Sequence, residues 1–132
     1  MFMNTFKVNV VAVNPKREEL LTEPIAALVD TGSELTWLPA ELLKNIGITP
    51  RRERLFTMAN NAVLQRTVGY AIVRAEGYET NDEIVFAEPG DMTLLGVRTL
   101  EGFGVTVDHI GKRFVAAPSL AVSATLRSAS LE

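Results

Sequence analysis

Apolar and polar positions alternate in short runs set apart by glycine, proline and asparagine, the pattern of brief strands joined by tight turns. Residues 6–13 are rich in valine and mostly alternate, which predicts a strand. Asn14-Pro15 and the charged run after them predict a turn. Leu20 and Leu21 resume an extended apolar course. Residues 25–29 (Ile-Ala-Ala-Leu-Val) are continuously apolar, so this strand is expected to be buried on both faces. It stops abruptly at Asp30-Thr31-Gly32-Ser33. After Trp37-Leu38-Pro39, the positions Leu42, Leu43 and Ile46 share one helical face, with Pro39 suited to start that helix and Gly47 to end it. Residues 55–58 and 63–74 are strand-like and flank Ala59-Asn60-Asn61-Ala62. Asparagine tolerates positive φ, so a hairpin is predicted there. A strand over 83–87 is broken by Pro89-Gly90. Leu94-Leu95-Gly96 then leads into a second short helix carrying Val97, Leu100 and Phe103, capped by Gly104. Residues 105–107 and 113–116 predict a last hairpin around Ile110-Gly111. The sum is a mainly β fold with one or two short helices, either a small closed barrel-like sheet or a sandwich.

A length of 132 residues fits one domain. Residues 1–117 are expected to form it, with 118–132 as a C-terminal segment that is small and polar but keeps Leu120, Val122, Ala124 and Leu126 at a period of two. The net charge of −3 argues against a nucleic-acid partner. Arg51, Arg52 and Arg54 form the densest basic cluster and read as a solvated face, since no aromatic platform accompanies them. The absence of cysteine removes thiol catalysis, disulfides and zinc-cysteine sites. A single histidine, His109, leaves no multi-histidine metal site. No apolar run nears the ~20 residues that span a bilayer. Lys7 interrupts the apolar N-terminus, so no signal peptide is expected. The expectation is a cytoplasmic protein without metal or other cofactor and without a membrane partner.

Candidate chemistry centres on Asp30. A carboxylate directly after an apolar strand is costly to bury unless donors satisfy it. Thr31 and Ser33 supply hydroxyls, and Gly32 allows close backbone approach. Such a turn can hold an ionisable carboxylate in a fixed position. It can equally be a strand end closed by an Asx-type turn, in which Asp30 bonds only local N–H groups.

Three features in order lift the first reading: the run Leu28-Val29-Asp30-Thr31-Gly32-Ser33, the asparagine-rich hairpin at 59–62, and Leu94-Leu95-Gly96 before a short helix. Over residues 6–115 the chain thereby resembles the retroviral-type (retropepsin-like) single-domain aspartic proteases of the pepsin-like clan. The resemblance implies an acid-protease fold in a two-fold symmetric homodimer. It implies that Asp30 is the catalytic carboxylate, that Thr31 makes cross-subunit hydrogen bonds, and that Gly32 offers backbone contacts to substrate. Ser33 would bond the outer oxygen of Asp30. Met58, Ala59, Asn60, Asn61 and Ala62 would form a flap over the substrate, and Leu95 and Gly96 would pack close to the active-site loop.

The implied chemistry makes a demand that one chain does not meet. Peptide hydrolysis by this route uses two carboxylates sharing a proton, and Asp-Thr-Gly occurs once here. Asp82, Asp91 and Asp108 stand in other contexts. An identical chain would therefore supply the second half as an isologous dimer acting on a peptide or protein substrate. Terminal strands at 2–8 and 120–126 have the composition to interleave in such a dimer, though the latter also suits a loose tail. A non-catalytic dimerisation or peptide-binding module is the alternative, disfavoured by the intact Asp30. Relatives commonly pair an Asp two residues after the motif glycine with an Arg directly after Leu-Leu-Gly. Here those positions hold Glu34 and Val97, with Arg98 one place on. Arg98 either reaches Glu34 or faces solvent. Trp37, flanked by Leu35 and Leu38, reads as a packing residue ahead of a substrate subsite.

Overall fold

The computed structural model describes residues 5–118. The elements run β1 (Lys7–Val13), β2 (Ile25–Val29), β3 (Thr36–Pro39), α1 (Ala40–Asn45), β4 (Arg52–Thr57), β5 (Val63–Ala75), β6 (Tyr78–Ala87), β7 (Leu94–Leu95), α2 (Val97–Phe103), β8 (Val105–Asp108) and β9 (Arg113–Ala116). The fold is mainly β with two short helices, as the pattern predicts. The segment 120–126, and the first residues of 2–8, lie outside the described residues.

Seven strands form one sheet in the order β1-β2-β7-β3-β6-β5-β4. The first strand serves twice. Its N-terminal half pairs with β2, Lys7 opposite Leu28, and its C-terminal half pairs with β5, Val13 opposite Ile72. Hydrogen-bonded neighbours therefore run in a circuit through six strands, with β4 outside it. The last two strands, β8 and β9, form a separate ribbon.

Two apolar clusters result. The larger gathers Val10, Val29, Leu38, Leu43, Ile84, Phe86, Leu95 and Leu100. The smaller holds Leu35, Trp37, Val68, Val85 and Ala87, with Phe56 and Leu94 packed against it. Gly104 ends α2 in the left-handed region (φ 75°), its N–H donating to the Glu101 and Leu100 carbonyls. The 58–62 turn is the expected hairpin. Asn61 takes φ 68°, and Met58 N–H donates to the Ala62 carbonyl at 2.8 Å.

Two element-level expectations are corrected. The strand over 25–29 is not buried on both faces: Ile25, Ala27 and Val29 point inward, while Ala26 is exposed and Leu28 is half-buried. Continuous burial falls instead on residues 82–87 of β6, which β3 and β5 flank. In α1 the inward residue is Leu43, joined by Ile46 just beyond the helix, while Leu42 stays exposed.

Candidate active site

The loop after β2 owes its position to a parallel pairing. Leu28 and Val29 pair with Leu94 and Leu95, and the Asp30 N–H donates to the Leu95 carbonyl at 3.0 Å. Asp30 Oδ1 accepts the Gly32 N–H at 2.9 Å, and the Asp30 carbonyl accepts the Ser33 N–H at 3.1 Å. The Asx-type turn is thus present, and it holds the carboxylate in place at the rim of a cleft.

From below, α2 is stitched to the same loop. Val97 N–H donates to the Ser33 carbonyl at 2.8 Å and Arg98 N–H to the Glu34 carbonyl at 3.0 Å. Gly96 packs directly against the Leu35 backbone. One implied contact is replaced. Ser33 Oγ donates to the Leu35 carbonyl at 2.7 Å rather than to Asp30. Nor does Arg98 meet the Glu34 side chain or point freely into solvent. Its guanidinium lies 3.7 Å from both Asp82 and Glu83, the buried carboxylates of β6.

The cleft holds about 910 Å³. Its lining includes Asp30, Gly32 and Ser33 of the loop after β2 and Met58, Ala59, Asn60 and Ala62 of the β4–β5 hairpin. Thr31 and Asn61 are exposed outside that lining, and Leu95 and Gly96 are buried behind it. Trp37 and Phe56 meet in the cleft at a ring-centroid distance of 5.0 Å, tilted by 60°. Trp37 is 6% exposed, so it is a packing residue that also forms part of the lining. Phe56 escaped the sequence reading. Its inward position in a period-two strand was available, but its partner on β3 is reached only through the sheet order.

Charge is placed around the cleft in pairs. Arg66 on β5 makes a two-pronged bond to Asp91, at 2.7 and 2.9 Å. Those bonds hold the Asp91 carboxyl below its usual range against the opposing effect of burial. Burial would raise Glu83, but hydrogen bonds from Arg52 and Arg54 outweigh it, and the net shift is downward. Arg54 also stands 5.6 Å over the Phe56 ring. Among the described residues no three His, Cys, Asp or Glu side chains converge as a metal cluster would require. No described helix is long and apolar enough to cross a membrane.

The chain is thus mainly β, with Asp-Thr-Gly-Ser at a cleft that the β4–β5 hairpin also lines and with a glycine-led helix bonded to the same loop. Residues 19–102 match the family model described as "gag-polyprotein putative aspartyl protease", and the chain belongs to this family. That window contains all three motifs, so the resemblance read from them is borne out. A crystal structure of a retropepsin-like aspartic protease from Rickettsia conorii matches 79% of this chain and 84% of that one, at 20% identity and a TM-score of 0.46. No curated protein sequence matches the chain.

Proposed function

We propose that this protein is an aspartic endopeptidase acting as a two-fold symmetric homodimer, with Asp30 of each copy supplying one of two catalytic carboxylates. The ionised member activates a water. The protonated member polarises the scissile carbonyl and then passes its proton to the departing amine. Aspartic proteases are the standard example of two carboxylates too close for both to ionise, so their titration belongs to the pair. Thr31, exposed beside Asp30, braces the two loops across the dimer axis, and Gly32 bonds substrate backbone. The hairpin at Met58, Ala59, Asn60, Asn61 and Ala62 closes over the substrate as a flap. The aromatic pair of Trp37 and Phe56 favours apolar side chains beside the scissile bond. Residues 1–117 make up the protease domain, and 118–132 add a C-terminal segment to it.

The observation that carries this reading is the position of Asp30. Its carboxylate is oriented by the Gly32 N–H at 2.9 Å in the wall of an open cleft, in a chain of an aspartyl protease family. Digestion of a peptide library from pH 3 to 8 by wild type and Asp30→Asn tests it. Cleavage by the wild type and a loss of at least about a thousandfold in the variant are expected, since catalytic groups of this kind act as a unit. Undiminished cleavage by Asp30→Asn refutes the assignment. Two intact dimers that cleave nothing point to a non-catalytic module.

A further inference from the structure

A chain of buried hydroxyls leads from the active-site loop to a carboxylate that the reaction does not use. The Gly96 N–H donates to Thr36 Oγ1 at 2.9 Å. Thr36 Oγ1 meets Thr99 Oγ1 at 2.6 Å, and the Thr99 hydroxyl donates to Asp82 Oδ2 at 3.0 Å. A hydroxyl has one proton, and that of Thr99 is spent on Asp82, so Thr36 must donate to Thr99. The chain therefore has one direction, with Asp82 as its final acceptor. Thr36 and Thr99 are fully buried and Asp82 is 8% exposed. Apolar side chains of similar volume would fill this space without the desolvation that polar groups incur. The chain instead fixes Gly96, the residue wedged under Leu35, and so the height of α2 against the loop that α2 holds through Ser33 and Glu34.

We propose that Asp82 is a positioning residue for the Asp30 loop, acting through Thr99 and Thr36 on Gly96; the kinetic part of this rests on the protease reading above. The carboxylate is the only side-chain type that suits both of its donors. Oδ1 accepts the Glu83 N–H at 2.7 Å while Oδ2 accepts Thr99. An asparagine has one acceptor oxygen and would leave one of them unanswered.

The test uses Thr99→Val, which keeps shape and removes the hydroxyl, together with Asp82→Asn and the conservative Thr99→Ser. In the full-length protein, Thr99→Val and Asp82→Asn are expected to lower kcat about tenfold or more with KM within about twofold, the mark of misplaced catalytic groups. Thr99→Ser restores it. Independently of activity, amide hydrogen exchange is expected to speed up at Asp30, Gly96 and Val97 while β5 and β6 amides keep their protection. If the wild type cleaves nothing, the protease reading fails and exchange alone decides the positioning role. Wild-type exchange at these amides in Thr99→Val overturns the proposal. Thr36→Val breaks the chain one link nearer the loop, and serves if Thr99→Val does not fold. Failure of both to fold overturns the proposal in favour of a purely structural role.

Discussion

A methyl group on residue 96 would stand 2.4 Å from the Leu35 carbonyl oxygen and 2.9 Å from that of Ser33. Both are backbone atoms of the loop that carries Asp30, so neither can swing aside as a side chain would. Gly96 itself has φ −99°, a conformation open to any residue, which makes the requirement one of space alone. Gly96→Ala is therefore expected to destabilise the fold by about 1–3 kcal/mol, the usual cost of overpacking. A thermal melt followed by circular dichroism reads this as a fall in Tm of at least roughly 3 °C. A Tm within about one degree of wild type would mean that α2 can retreat from the loop. Asp30 and Gly96 were both readable from the sequence, because each belongs to a short contiguous motif. The acceptor of Ser33 was not. Asp30 and Leu35 both lie within a few residues of it, and only the three-dimensional turn decides between them.

The β4–β5 hairpin faces the cleft as an element, and ion pairs secure its base. Arg66 anchors β5 to Asp91 in the segment between β6 and β7, while Arg52 and Arg54 anchor β4 to Glu83. Asp91 titrates below its usual range in the folded protein, chiefly through its bonds to Arg66. A carboxylate lowered by folding contributes stability above its unfolded pKa of about 3.9 and forfeits it as pH falls through the lower folded value. Asp91→Asn is thus expected to cost about 1.5–3 kcal/mol at pH 7, the range for hydrogen bonds to charged groups. The cost should shrink as pH drops from about 5 toward 2. Urea unfolding of both proteins at pH 7 and pH 3 measures the gap, and a gap of equal size at both would assign the loss to packing. The hairpin was plain in the sequence because its strands alternate and Asn60-Asn61 marks the turn. The strands at its back were harder to read. Residues 82–87 are buried on both faces and show no period, and β3 and β7 are four and two residues long. Such segments are defined by their neighbours in the sheet more than by their own pattern.

At the scale of the whole molecule the decisive quantity is the number of Asp-Thr-Gly motifs, which is one per chain. That count is plain in the sequence, whereas the surface that would join two copies is a property of no single segment. The count nonetheless yields a quantitative test that needs no picture of the interface. If the two carboxylates must come from different chains, a mixed dimer in which only one chain keeps Asp30 is as deficient as a dimer of two variant chains. Mixing wild type with an equal amount of Asp30→Asn, under conditions where chains exchange, leaves about a quarter of the dimers with two aspartates. Total activity, referred to a control diluted with buffer at the same total dimer occupancy, should then fall to about half of what the wild-type chains alone would give. It should continue to fall as the inactive chain is added in excess, because the active fraction follows the square of the wild-type share. A site complete within one chain predicts the opposite, activity proportional to wild-type chain at every ratio. Activity that ignores added Asp30→Asn, with subunit exchange verified by mass spectrometry of isotope-labelled chains, would remove the shared site and with it the need for a dimer.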